Sequence, residues 1–248
     1  MTYLVTGASS GIGNAVARRL AMGGNRVLAI ARSEAELRQL EESFPDAVEA
    51  VPADLSTSDG IRRIIKRIQN DNSVAGLVHS AGSAVPLQRM DNIDAEELQR
   101  HFRIHVTAQL SLYQSVTSVC ELKRMLFVDS YSASTPREHW AAYSIVKAAA
   151  QMLARCSAAE LPRTRTIRVL PGAVNTRIVR DVLQSDSPTA AAFSELREKG
   201  QIAEPADVAS FISAILVDAS DSLLNSVDAW EYNNPEHRKT ITDLLPGD

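Results

Sequence analysis

In "YLVTGASSGIG", residues 3–13, an apolar run passes through glycines into a stripe of apolar residues at helical spacing, Ile12, Val16 and Leu20. The run predicts a strand, and the stripe predicts a helix from Ile12 to Met22. A glycine-rich turn between a strand and a helix is the setting of a dinucleotide fingerprint. Gly7, Gly11 and Gly13 permit a tight turn and bring backbone close to a pyrophosphate, which the helix N-terminus attracts. Their spacing is G-x3-G-x-G, not the commoner G-x-G-x-x-G. A glycine turn that holds no ligand is the alternative.

Outward from this stretch, apolar runs alternate with helical patterns. "RVLAIA" (26–31) precedes a helix over 34–43, with Ser33 and Glu36 at capping-box spacing. "VEAVPAD" (48–54) precedes "IRRIIKRI", where Ile61, Ile64, Ile65 and Ile68 keep helical period. Then come "VAGLVHSAG" (74–82), a long helix over 94–119, "RMLFVDS" (124–130), a helix from "AYSIVK", "TIRVLPG" (166–172), a helix over 205–217 and a last strand near 226–232. Strands that are apolar throughout and separated by helices predict a parallel sheet covered on both faces. The expected class is α/β, a doubly wound Rossmann fold in one domain over 1–248. Pro52 in the third strand conflicts with a central ladder, and the doubly wound order 3-2-1-4-5-6 resolves this, because there the third strand is an edge where proline is tolerated.

Composition excludes several functions. A net charge of −4 with no dominant basic patch argues against a nucleic-acid partner; the densest basic stretch, "RTRTIR" (163–168), alternates as a strand would. Cys120 and Cys156 lack metal-ligand or CxxC spacing, which predicts a reducing, cytoplasmic setting and no metal. No apolar run reaches 18 residues, so no membrane span is expected. The first strand starts within a few residues of Met1, leaving no room for a signal peptide.

"AYSIVK" (142–147) places Tyr143 and Lys147 on one helical face. An exposed pair is one reading; the other is a phenol whose proton the neighbouring ammonium makes labile. TGASSGIG followed by Y-x3-K resembles the short-chain dehydrogenase/reductase family, whose domain would span essentially the whole chain. Ser130, thirteen residues before Tyr143, and the Pro171-Gly172 pair extend the likeness. The resemblance implies that Tyr143 is the general acid toward a carbonyl oxygen, that Lys147 favours the phenolate and meets the nicotinamide ribose, and that Ser130 orients the substrate. A strand-end hydroxyl satisfying loop backbone is the plainer role for Ser130. It further implies cofactor contacts from Gly7, Ser9, Ser10, Gly11, Ile12, Gly13, Asp54, Leu55, Ala81, Gly82, Pro171, Gly172, Val174 and Thr176, besides Tyr143 and Lys147.

An NAD site of this architecture wants an acid at the tip of the second strand. Here Arg32 stands there, a planar cation suited to a 2′-phosphate, which favours NADP(H) over NAD(H). A solvated loop arginine would read the same way, and helix capping would account for Asp54. Two departures stand out. His79-Ser80-Ala81-Gly82 replaces the family's Asn-Asn-Ala-Gly, and His105 replaces the asparagine that supports proton supply to the tyrosine. His105 either takes over that relay or packs. His101, His139 and His237 are expected at the surface without clustering.

Residues 177–200 are expected to form a lid, with Val179, Val182, Leu183 and Phe193 as candidate apolar substrate contacts; an ordinary amphipathic surface helix would show the same pattern. Glu231 offers a polar anchor, although an exposed acid would read the same. "HWAAYSIVK" and "VDAWEY" resemble the branch that contains sepiapterin and benzil reductases, which reduce vicinal dicarbonyls. The expected function is NADPH-dependent reduction of a ketone or dicarbonyl by a cytoplasmic homodimer or homotetramer, joined through the helices at 94–119 and 142–160. The alternatives are alcohol oxidation by the same residues and an NADP(H)-binding redox sensor.

Overall fold

The computed structural model describes residues 1–69, 71, 73–82 and 87–245. The chain starts with β1 (Thr2–Thr6), α1 (Gly11–Met22), β2 (Arg26–Ala31), α2 (Glu34–Ser43), β3 (Val48–Pro52), α3 (Ser58–Ile68) and β4 (Val74–His79). Next come α4 (Ala95–Phe102), a π-helical turn (Arg103–Thr107), α5 (Ala108–Thr117), β5 (Arg124–Val128), α6 (Ala141–Glu160) and β6 (Arg165–Leu170). It closes with α7 (Arg177–Leu183), α8 (Thr189–Glu198), α9 (Pro205–Val217), α10 (Asp221–Leu224), β7 (Trp230–Glu231) and α11 (Pro235–Thr242).

Among the described residues the strands form one parallel sheet, ordered β3-β2-β1-β4-β5-β6-β7. Successive strand side chains point to opposite faces, so β1 splits between two cores. Tyr3 and Val5 pack with Val16 and Leu20 of α1 and Ile212 of α9. Leu4 joins Ile64 of α3 and Leu112 of α5 on the other face. Covering both faces is what makes strands that are apolar throughout stable here. Pro52 pairs with Ala31 on the edge strand, where its missing N–H leaves no ladder bond unmade. No described helix is long and apolar enough to cross a membrane.

The structure alters three sequence expectations. Pairing stops at Pro52, His79, Val128 and Leu170, and β7 is only two residues, so the runs drawn to 54, 82, 130 and 172 leave the ladder early. Their last residues line a cleft at the strand C-termini. Ser33 takes the N-cap position of α2 but makes no side-chain capping bond, so the capping box does not form; Ser33 and Glu36 face the cleft mouth instead. The expected helix over 94–119 is interrupted by the π turn, which centres on His105.

Candidate active site

The cleft opens between β1 and β4, where the strand order reverses, as expected for ligand sites in open α/β sheets. Its volume is about 1560 Å3, and it runs from Arg32 and Asp54 at one end to Ser130, Tyr143 and Lys147 at the other. Gly7 adopts φ +72°, and a Cβ there would sit 2.9 Å from the Ala81 backbone. Gly13 does not line the cleft; a Cβ there would lie 2.4 Å from the Gly7 carbonyl oxygen, so its absence lets α1 tuck beneath the loop. Asn14 Nδ2 donates to the Ala8 carbonyl at 2.9 Å, and Thr6 Oγ1 accepts from the Ser80 and Ala81 amides at 3.2 and 3.0 Å. The N-cap of α1, Ser10, makes no side-chain bond and the first turn holds no acid. Free N–H groups and the helix dipole therefore face the cleft, a fit for a pyrophosphate.

At the far end Arg32 is exposed. Asp54 lines the cleft but does not cap α3, whose cap is Thr57; its Oδ1 accepts from the Ser56 amide and hydroxyl at 2.8 and 2.7 Å. Burial raises the pKa of Asp54, but the Ser56 bonds and the cations Arg32 and Arg100 outweigh it and hold the carboxyl below its ordinary value. Ser9, Ser10, Gly11, Ile12, Leu55, Ala81, Gly82, Pro171, Gly172, Val174 and Thr176 line the space between the two ends.

The reactive end draws on two elements. Ser130 follows β5, and its Oγ accepts from the Ser132 amide at 3.2 Å. Tyr143 and Lys147 project from α6; Lys147 Nζ donates to the Val128 carbonyl at 2.9 Å and lies 5.8 Å from the Tyr143 ring centre. Trp140 and His105 both meet the Tyr143 ring edge-on, with centres 5.5 and 6.3 Å away.

The histidines depart from expectation. His101 is fully buried, not a surface group, and stacks over His105 with centres 6.3 Å apart, one turn along the α4–π segment. Its Nε2 lies 3.1 Å from Arg100 and 3.4 Å from Glu97. His101 falls on the same helical stripe as Ile104, Ala108 and Leu112, which are buried in the core, and that register carries it inside. His139 and His237 are half-buried. His105 fills the space that Gly82 leaves, since a Cβ on Gly82 would meet its Cε1 at 2.7 Å. Neither ring nitrogen of His79 or His105 has a hydrogen-bond partner among the described residues. Burial pushes the pKa of His79 down to about 3, and burial followed by Lys147 and His101 holds that of His105 well below the ordinary value.

The expected lid is two helices, α7 and α8, packed on Trp140. Trp140 Nε1 donates to Thr189 Oγ1 at 2.7 Å, and its ring stacks on Phe193 at 6.0 Å. Val179 and Phe193 line the cleft, whereas Val182 and Leu183 pack inside the lid. Glu231 is half-buried and accepts from the Tyr131 hydroxyl at 2.8 Å. Burial, followed by this bond, pushes the Tyr131 pKa up to about 12.

Residues 1–187 match the family model described as short chain dehydrogenase. The chain belongs to this family. Among curated relatives, benzil reductase ((S)-benzoin forming) of Bacillus subtilis is 27% identical over 229 residues, covering 86% of this chain and 92% of that protein. Sepiapterin reductase of Mus musculus is 30% identical over 189 residues, covering 68% and 72%. A solved short chain dehydrogenase/reductase from Saccharomyces cerevisiae superposes with TM-score 0.84 over 99% of both chains at 23% identity, a likeness of fold.

Several groups of this short chain dehydrogenase that shape its site were not picked out from sequence. Thr6 and Asn14 brace the glycine loop, Trp140 ties the lid to α6, and Asp129 buries a carboxylate beside Ser130. Only Asn14 carried a local signal, as a side-chain donor on the first turn after the glycines. The others act on residues far away in the chain.

Proposed function

We propose that the chain is an NADPH-dependent carbonyl reductase acting on a ketone or a vicinal dicarbonyl. The observation that carries this reading is that Ser130, Tyr143 and Lys147 line one end of a cleft whose middle holds the glycine loop and the uncapped N-terminus of α1. The uncapped first turn of α1 and the close backbone at Gly7 would hold the pyrophosphate. Arg32 would meet a 2′-phosphate, with Leu55 and Asp54 beside the adenine and Thr176 and Val174 beside the nicotinamide. Glu36 also lines the mouth, an acid set against the Arg32 cation there. When bound, the dinucleotide supplies the hydride.

The chain's own residues handle the proton. Ser130 Oγ already accepts from the Ser132 amide, so its own hydrogen is free to be donated to the substrate oxygen. Tyr143 Oη holds the proton that the nascent alkoxide takes. Lys147 commits one N–H to the Val128 carbonyl, leaving two for the ribose and the phenol. His105 meets Tyr143 edge-on with neither ring nitrogen bonded, and in this reading one nitrogen would accept from and the other donate to a water that supplies protons to Lys147. Trp140 and Phe193, stacked on each other, give the cleft an apolar wall that would suit an aryl or planar substrate. The names of the benzil and sepiapterin reductases accord with a dicarbonyl substrate.

The protein works in this reading as one cytoplasmic domain, assembled as a dimer or tetramer through α4–α5 and α6. Phe102, Leu110, Ile145 and Met152 are exposed along those helices and would be covered by assembly. A panel of vicinal diketones, quinones and simple ketones, each assayed for NADPH and NADH consumption, tests the function. Turnover with diketones and NADPH supports it; no turnover with any carbonyl sinks it.

A further inference from the structure

Asp129 directly precedes Ser130 and its carboxylate is buried. Oδ1 accepts from the Ser130 amide at 2.7 Å. Oδ2 accepts from Gln151 Nε2 at 3.1 Å and from Arg168 Nε and Nη2 at 3.0 and 2.8 Å. Arg168, itself buried on β6, spends Nη1 on Asp228 at 2.7 Å, and Arg155 meets the same carboxylate at 3.0 Å. Gln151 stands one turn beyond Lys147 on α6, and two beyond Tyr143, so these three residues recur at a spacing of four. One carboxylate thus bridges the chain segment that bears Ser130 and the helix that bears Tyr143 and Lys147.

We propose that Asp129 is a positioning residue, whose carboxylate registers the Ser130 hydroxyl against Tyr143 and Lys147. A buried ion pair is a weak source of stability compared with apolar packing, but its geometry is specific. Both Arg168 donors close on Oδ2 while the Ser130 amide holds Oδ1, so the carboxylate is anchored at one oxygen and the peptide joining Asp129 to Ser130 at the other. Ser130 is then held from two sides, by the carboxylate on its amide and by the Ser132 amide on its Oγ. Gln151 transmits the same constraint to α6.

The inference rests on the catalytic reading of Ser130, and its test separates the two. Gln151→Leu removes one donor and leaves the Arg168 pair intact, so the fold survives; Asp129→Asn is the more severe variant. Each is made in the wild-type and the Ser130→Ala backgrounds, with kcat on a diketone, NADPH affinity and melting temperature measured. Exchange of the Ser130 amide is followed in the free protein. In the wild-type background Gln151→Leu is expected to lower kcat about tenfold, because small misplacements of a reacting group are expensive. In the Ser130→Ala background the same change should leave kcat within about twofold, since coupled residues are not additive. NADPH affinity should hold, and the Ser130 amide should exchange faster in both Gln151→Leu and Asp129→Asn. Equal losses in the two backgrounds, or no loss in either, overturn the inference. If Ser130→Ala alone keeps the full rate, the reading of Ser130 fails instead. The amide exchange then decides, and unchanged protection refutes the positioning role.

Discussion

Arg32 stands at the tip of β2, exposed and at the mouth of the cleft. If it reads a 2′-phosphate, Arg32→Ala should weaken NADPH by about tenfold or more, the worth of a charge-assisted hydrogen bond. NADH should be nearly unaffected. Fluorescence titration of both cofactors checks this, and equal losses refute the assignment. For His105, the Asn variant should keep most of the rate, because an amide also supplies a donor and an acceptor. His105→Leu should lose rate at unchanged NADPH affinity, most of all at high pH, where protons are scarce. If the leucine variant is active with an unaltered pH profile, His105 only packs. Helical spacing put Tyr143 and Lys147 on one face, but Ser130 and the roles of all three were drawn from the family resemblance; the structure places the three along one cleft. Asp129 and His101 were not legible in sequence. The Arg168 partner of Asp129 lies 39 residues away on another strand, and the burial of His101 follows a register that runs through the π turn.

The elements were legible wherever a period was sustained, as in α1, α3 and α9. The long helix was misjudged in one respect, because the hydrophobic pattern runs through 95–117 without a mark for the π turn. π turns concentrate at functional sites, and this one carries His105 against Gly82 and Tyr143. The lid shows a similar limit. Its apolar residues were visible, but not that Val182 would turn inward while Val179 and Phe193 face the cleft. The bond from Trp140 to Thr189 joins the start of α8 to the N-cap of α6. Thr189→Val keeps the shape and deletes the acceptor, leaving the indole N–H unpaired. It is expected to lower kcat/KM about five- to tenfold, for a loss near 1 kcal/mol. NADPH affinity should change less. Steady-state kinetics on a diketone checks this, and an unchanged kcat/KM would show that the aromatic stack alone closes the lid.

At the scale of the molecule, order β3-β2-β1-β4-β5-β6-β7 places every named reactive group at one end of the sheet. That order was expected from the alternation of strands and helices, and Pro52 fits it because the third strand lies at the edge. The buried histidines give the whole chain an acid sensitivity. Unfolded, each takes a proton near pH 6.5, while His79 and His105 stay neutral in the fold until far lower pH. Below pH 6.5 the unfolded state therefore binds more protons, and stability rises with pH. It is complete above the unfolded value and is lost as pH falls toward the folded values. The slope should reach about 1.4 kcal/mol per pH unit for each such histidine. Urea melts should weaken steeply between about pH 6.5 and 5, and His79→Leu should remove one histidine's share of that slope. An unchanged slope in the variant would mean that His79 titrates normally in the fold.

In the proposed reaction the Tyr143 hydroxyl delivers the proton as hydride reaches a carbonyl. Tyr143→Phe preserves the ring's edge-on packing against Trp140 and His105 and deletes only that hydroxyl. Progress curves of NADPH oxidation with a vicinal diketone, alongside NADPH binding to each protein, read out whether that hydroxyl is needed for turnover. The wild type should turn over, and the variant should bind NADPH with near-normal affinity while losing at least about a hundredfold in kcat, the scale of general acid catalysis. A Tyr143→Phe protein that binds NADPH and retains most of the wild-type rate would contradict the account.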